Sequence, residues 1–218
     1  MEAKISQIKK DVLVASYDAW ACHIGSALSC VDILVNLFYV QKIKPEQFLF
    51  SKASGVATYY AILADLGYFP KEKLAEYLKN YPLPSTEVPG VVHSFGSLGH
   101  GLSVACGMAL GDRENEYYVL LSDGECQEGS TLEAVSFAKH HKLDNLYVIV
   151  DDNKNQALGK TKDILNMGGI FEFMKNTLPN CEIVETVKGS GVDFMENDNS
   201  WHYRNLDKEH LEKALAQI

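Results

Sequence analysis

The chain has no CxxC pair, no basic excess and no uninterrupted apolar run of membrane-spanning length. Its five cysteines (Cys22, Cys30, Cys106, Cys126, Cys181) are odd in number and scattered. That argues against a disulfide framework and the usual zinc spacings, and makes a reducing cytoplasm the default location. Lys and Arg number 20 against 29 Asp and Glu, a net charge of −9. A broad nucleic-acid footprint needs a basic face and is excluded. A local anion site is not, because backbone amides or a metal can hold phosphate on an acidic protein. The longest apolar stretches, such as Val31–Val40, are broken by Asp32 and Asn36 and fall short of the ~20 residues a membrane span requires. Met1-Glu2-Ala3-Lys4 leads into an amphipathic segment without the apolar core of a signal peptide. Only six prolines occur, three of them in Tyr81–Gly90, which must therefore be loop.

What is present fits one globular core of 218 residues, 46% hydrophobic and 22% charged. No repeat or low-complexity tract interrupts it, and residues 1–218 read as a single domain. Residues 5–40 read as two helices broken at His23-Ile24-Gly25-Ser26, the second running from Leu28 to Val40. Phe48–Phe50 is a short buried strand, followed by helices over Thr58–Leu66 and Lys71–Lys79. The chain then alternates. Helices are expected over Leu98–Leu110, Leu132–Lys142, part of Ile164–Leu178, and Lys208–Gln217. Between them lie strands over Tyr117–Leu121, Leu146–Val150 and Glu182–Val187. Strands without polar alternation, separated by helices, predict an α/β fold: a parallel sheet flanked by helices on both faces.

Two strands carry chemistry at their ends. Leu120-Leu121-Ser122-Asp123-Gly124-Glu125 is followed by Val150-Asp151-Asp152-Asn153-Lys154-Asn155. Ligands of open α/β sheets bind at the carboxyl edge. The spacing from Asp123 to Asn153 suits one strand–helix–strand crossover, which brings neighbouring strand ends together. A carboxylate, an amide oxygen and a backbone carbonyl are hard donors suited to Mg²⁺, and Gly124 lets the backbone approach a diphosphate closely. Asp-Gly and Asp-Asn are also ordinary strand-end turn residues, so either motif alone decides nothing.

Together the two motifs resemble the thiamin-diphosphate signature of Gly-Asp-Gly followed by Asn, with Ser122 at the first glycine. The flanking residues resemble transketolase: Asp123-Gly124-Glu125-Cys126-Gln127-Glu128-Gly129, His141-Lys142-Leu143-Asp144-Asn145-Leu146 and Asp151-Asp152-Asn153-Lys154. So do Gly96-Ser97-Leu98-Gly99-His100-Gly101-Leu102-Ser103, Thr186-Val187-Lys188-Gly189-Ser190-Gly191-Val192 and Trp201-His202. The resemblance runs from about Ile8 to the C-terminus and implies the diphosphate-binding (PP-type) half of a split enzyme.

It also implies roles. Asp123 and Asn153 would ligate Mg²⁺ by side chain and Asn155 by its carbonyl. Gly124, with Glu125 beside it, would meet the diphosphate. Gly96, Ser97 and Leu98 would line the thiazolium and aminopyrimidine side. His23 and His202 would lie near the substrate, His202 also near the diphosphate, and Glu128 at the subunit contact. His100 stands where the family has glutamine. The catalytic set implied is thus His23, His100, His202 and Glu128. The glutamate that activates the cofactor belongs to a pyrimidine-binding domain absent from this chain. A partner subunit is implied, in a heterotetramer, with the cofactor at the interface.

The substrate side departs from the family. Ser-Lys-Gly-His-Ala is Ser51-Lys52-Ala53-Ser54-Gly55, so the family's histidine is Ser54, and Gly-His-Pro-Gly is Cys22-His23-Ile24-Gly25. His93 stands where the family seldom has histidine, and Met167–Cys181 looks shortened. Lost imidazoles beside an intact metal motif imply a specialised two-carbon transfer, of a ketol or an acetyl unit, rather than ordinary pentose-phosphate exchange. Other readings stay open: an acyl-transfer component of a pyruvate-decarboxylating complex, a degenerate cofactor-binding subunit, and a phosphate site without thiamin.

Overall fold

Apolar runs that carry large side chains on both of their faces can be buried only inside a layered structure, and this is where the strands lie. A computed structural model describes residues 1–218. The strands are β1 (Phe48–Phe50), β2 (Tyr117–Ser122), β3 (Leu146–Asp152), the short hairpin β4 (Asn155–Gln156) and β5 (Gly159–Lys160), and β6 (Cys181–Glu185). The helices are α1 (Glu2–Asp18), α2 (Ile24–Ser29), α3 (Val31–Val35), α4 (Val56–Asp65), α5 (Leu74–Asn80), α6 (Gly101–Gly111), α7 (Gly129–His140), α8 (Thr161–Ile164), α9 (Gly168–Thr177) and α10 (Lys208–Leu215). β1, β2, β3 and β6 form one parallel sheet in the order β1-β2-β3-β6.

Successive strand residues point to opposite faces, and each face has its own core. Phe48, Phe50, Tyr118, Leu120 and Ile149 pack with α1 to α4. Leu49, Val119, Leu121, Val148 and Val150 pack with α6, α7 and α9. On the first face Phe38, Phe48, Phe50 and Tyr59 interlock with ring centroids 5.2–6.2 Å apart, so these aromatics are core, as is buried Tyr60.

The structure differs from expectation at three boundaries that shape the site. The helix expected over Leu28–Val40 is α2 and α3, broken at Cys30 and followed by a π-helical turn over Asn36–Gln41. The break follows from Ser29, whose hydroxyl reaches Ser26 O and the carboxylate of Asp151 instead of leaving the backbone to itself. The helix expected from Leu98 starts at Gly101, because Gly99 has φ +84° and cannot be helical. Strand β6 ends at Glu185, short of Val187, where the Thr186 hydroxyl turns to Asp151. β6 is also an edge strand, half-exposed along its length.

Candidate cofactor site

The carboxyl ends of β2 and β3 meet in register. Ser122 lies beside Asp151, and Asp123 N donates to Asp151 O at 3.1 Å. Asp123 is buried. Its Oδ1 accepts from Gly124 N at 2.7 Å, and its Oδ2 has no partner. Burial pushes this carboxyl up to about 7, against the opposing pull of the Gly124 N–H and the Lys52 charge. Asn153, also buried, accepts from Asn155 N at 3.0 Å and donates to Ser29 Oγ at 3.3 Å. Asn155 donates through Nδ2 to Asn153 O and opens the β4–β5 hairpin, in which Thr161 N donates to Lys154 O. Carbonyls alternate along a strand, so the Asn155 carbonyl turns away from that ladder. No three His, Cys, Asp or Glu side chains converge anywhere in the chain. A metal here would therefore rest on one carboxylate with amide and carbonyl oxygens, a donor set that suits Mg²⁺. The orphaned Asp123 Oδ2 is the atom such an ion would satisfy.

Behind these strand ends lies a fully buried ion pair. Lys52 Nζ stands 3.2 Å from Asp151 Oδ2, and both side chains are 0% exposed. Asp151 also accepts from Ser29 and Thr186. Lys52 donates to Ser26 O at 2.7 Å and Ser26 Oγ at 2.5 Å. Burial opposes the Lys52 charge, but Asp151, Cys30 and Asp123 together outweigh it and hold the ammonium above its ordinary value.

Two histidines lie within reach of the Lys52 and Lys188 charges. His23 caps α2 with φ +65°, and its N–H donates to His202 O at 2.9 Å. The two rings meet edge to face at 4.7 Å. Lys188, buried, donates to Asn199 Oδ1 at 2.7 Å and lies 3.1 Å from His202 Nδ1. An ammonium has only donors, so Nδ1 accepts and Nε2 carries the proton of His202. Burial, then Lys188, lowers His202 to about 3, which keeps it neutral. Burial and Lys52 lower Lys188 to about 8. His23 is lowered by burial and by Lys52 and Lys188.

A second loop faces the same edge. Gly96, Ser97 and Leu98 are exposed, and Gly99 N donates to Glu125 Oε1 at 2.9 Å. A Cβ on Gly99 would overlap Ser130 Oγ and stand 2.7 Å from Glu128 Cβ, so the loop rests on the start of α7 beside exposed Glu128. Glu125 is buried, and its carboxylate is spent on Ser51, Gly99 and Ser122. That carboxylate organises the loop from behind. A Cβ on Gly124 would stand 3.0 Å from Gln156 Cβ, so β4 approaches it closely. His100 is exposed at the N-cap of α6 and makes no ring contact with the His23–His202 pair. His93 stacks on Phe95 at 4.5 Å.

The family model for the transketolase thiamine diphosphate binding domain matches residues 4–176. The chain belongs to the transketolase family. It is 32% identical over 264 aligned positions to an apulose-4-phosphate transketolase subunit of Actinobacillus succinogenes, covering 100% of this chain and 95% of that one. It is 29% identical to a 6-deoxy-6-sulfo-D-fructose transketolase subunit of Clostridium, covering 90% of this chain and 88% of that one. Among solved structures, transketolase of Campylobacter jejuni superposes with TM-score 0.80 at 24% identity. That match covers 98% of this chain and 42% of the solved one. The four-stranded parallel sheet with helices on both faces is thus a transketolase fold.

The 264 aligned positions against 218 residues leave at least 46 positions of the Actinobacillus protein without a counterpart here. The stretch that looks shortened in sequence, Met167–Cys181, is α9 running directly into open-edged β6. Sequence reasoning assigned no site role to Ser26, Lys52 or Lys188, which the fold brings beside the strand ends. Ser51-Lys52 and Thr186-Val187-Lys188-Gly189 lie inside the transketolase-like motifs. That position is the only signal they give, since a lysine is ordinarily read as surface.

Proposed function

We propose that this chain is the thiamin-diphosphate- and Mg²⁺-binding subunit of a two-component, cytoplasmic transketolase that transfers a two-carbon unit between specialised carbonyl substrates. The observation that carries the reading is the orphaned, buried Asp123 Oδ2 beside Asn153, in a chain aligned end to end with a separately encoded transketolase subunit. Asp123, Asn153 and the Asn155 carbonyl hold the metal, and Gly124 meets the diphosphate. Bound thiamin diphosphate supplies the electron sink that lets a carbon–carbon bond beside a carbonyl break. The chain supplies orientation and charge. Lys188 and the Nε2–H of His202 donate toward anionic and hydroxyl oxygens, and His23 flanks them at the substrate end. Gly96, Ser97 and Leu98 line the ring side, with His100 and Glu128 at the contact with the second protein. That partner brings the pyrimidine-binding domain and the activating glutamate, in a heterotetramer. Ser54 in place of a histidine supports a substrate other than ordinary pentose phosphates, in line with the specialised sugars in the relatives' names.

The test is purification of the tagged chain from its native lysate, followed by assay of what co-purifies. A stoichiometric protein with a pyrimidine-binding domain, and poor turnover of xylulose 5-phosphate with ribose 5-phosphate, are expected. Efficient pentose-phosphate exchange refutes the specialised substrate. Acyl transfer to a lipoyl domain moves the chain to the pyruvate-decarboxylating class. Full activity of the complex with Asp123→Ala makes the chain a scaffold.

A further inference from the structure

The sheet ends at β6, and the hydrogen-bond register fixes which backbone groups of that strand face outward. Val148 N donates to Asn180 O, and Thr186 N donates to Asp152 O. These bonds flank a parallel register that sets Val148 beside Cys181 and Asp152 beside Glu185. Alternate residues of a strand turn their backbone groups to the same side, so Glu182 and Val184 are spent on β3. The N–H and C=O groups of Cys181, Ile183 and Glu185 point the other way, where no strand lies. Helix α9 runs into β6 through Leu178-Pro179-Asn180, too short a link to cover that edge. Exposed edges are ordinarily blunted by proline, lysine or a bulge. Cys181-Glu182-Ile183-Val184-Glu185 contains none of these.

The edge is complementary to itself. Opposed residues of an antiparallel pair can exchange both backbone bonds. A two-fold axis through Ile183 opposes Ile183 to Ile183 and Cys181 to Glu185, which satisfies all three outward residues at once. The side chains of these three residues point to the α9 face, where Lys175, Ile183 and Glu185 line one cleft. Lys175 lies near enough to Cys181 for its charge to act on that thiol, and it has no ion pair within the chain. Glu185 is 80% exposed, with only Lys154, already bonded to Asp152, at 3.4 Å. In one chain Lys175 and Glu185 sit toward opposite ends of β6, about 13 Å of strand apart. The two-fold sets Glu185 of one copy beside Cys181 of the other, and hence beside Lys175, and it does so twice. On the opposite face Glu182 is set against Val184, next to a groove floored by Ile33, Leu37 and Ile149. No carboxylate directly opposes another; the two Glu182 side chains meet only on the diagonal, at the exposed rim.

We propose that β6 is a self-association edge: a second copy of this chain pairs with it antiparallel about Ile183, joining the two sheets, with Lys175–Glu185 ion pairs on both sides of the axis. The pairing is independent of the cofactor reading above. A five-residue strand makes a small interface, so the dimer forms in a concentration-dependent way.

The test is sedimentation velocity of the full chain up to about 200 µM, with hydrogen exchange read by NMR on the same samples. A monomer–dimer equilibrium is expected. The amides of Cys181, Ile183 and Glu185 slow in exchange as concentration rises, while those of Glu182 and Val184 are protected throughout. Lys175→Glu or Glu185→Lys alone turns two attractive pairs into repulsive ones and weakens the dimer about tenfold or more. Lys175→Glu/Glu185→Lys together restores opposite charges across the axis and returns the dimer to within about threefold of wild type. Both positions are exposed, and urea midpoints matching wild type confirm that each variant is folded. A monomer at every concentration, or a dimer indifferent to the single reversals, overturns the inference. Protection of the three outward amides by the co-purified partner alone, whatever the concentration of this chain, assigns the edge to that partner and overturns it as well.

Discussion

Removing the Lys52 ammonium is the sharpest perturbation of the buried frame behind the strand ends. Lys52→Met keeps the length of the side chain and deletes its charge. Asp151, 0% exposed, is then left with hydroxyl donors only, from Ser29 and Thr186, and Ser26 loses its donor as well. Breaking a buried ion pair by taking one partner costs about 3–5 kcal/mol, a large part of the about 5–15 kcal/mol that holds a domain folded. With a urea dependence of about 3 kcal/mol per molar, the unfolding midpoint falls by about 1–1.7 M. Trp201, buried in the core, is the fluorescence reporter. Asp151→Asn is destabilising for the converse reason, since it strands the ammonium. The double variant Lys52→Met/Asp151→Asn removes both charges and is expected to be at least about 2 kcal/mol more stable than the sum of the single losses. A Lys52→Met loss under about 1 kcal/mol, or strictly additive effects, refutes the claim that this pair is a coupled, desolvated unit.

Three other outcomes follow from the same geometry. The Asp123 carboxyl is raised from 3.8 to about 7 by burial, so the metal-free fold binds a proton that the unfolded chain has released. Its stability therefore falls as pH rises from about 4 to about 7, by up to about 4 kcal/mol, and urea titration of Asp123→Asn shows this slope removed. His202 is lowered to about 3 by burial and Lys188, so NMR at pH 5.5 detects a neutral imidazole with its proton on Nε2; an imidazolium titrating near pH 6.5 contradicts the Lys188 contact. Gly99→Ala forces a Cβ into Ser130 Oγ at φ +84° and lowers stability by about 1–3 kcal/mol, whereas Gly129→Ala, with open space around it, changes little.

Much of the sheet is legible in the sequence because β2 and β3 are apolar on both faces and their crossovers are helical. The two sheet faces then follow from strand periodicity, as Phe48 and Phe50 on one side and Leu49 on the other demonstrate. The break between α2 and α3 is not legible, because the side chain that causes it, Ser29, bonds to Asp151, 122 positions away. The exposed edge at β6 escapes for a related reason: apolar Ile183 and Val184 read as buried strand, and only the topology leaves them without a neighbour. In the site, the 30-position spacing and the strand-end motifs mark Asp123 and Asn153, because a crossover has a characteristic length. Lys52 and Lys188 carry no such mark; burial of a lysine depends on the carboxylates and carbonyls that the fold gathers around it. Glu125 sits in the motif beside Gly124, yet its carboxylate is engaged by Ser51, Gly99 and Ser122, a role that depends on three separate segments meeting.

On the proposed function, the end of β2 and the end of β3 together hold Mg²⁺ and thiamin diphosphate through Asp123. The direct measurement is a calorimetric titration of wild type and Asp123→Ala, co-purified with the partner, with thiamin diphosphate in the presence and absence of Mg²⁺. Metal-dependent saturable binding by wild type, lost in Asp123→Ala, is the predicted result. Equal binding by both proteins, or binding indifferent to Mg²⁺, contradicts it.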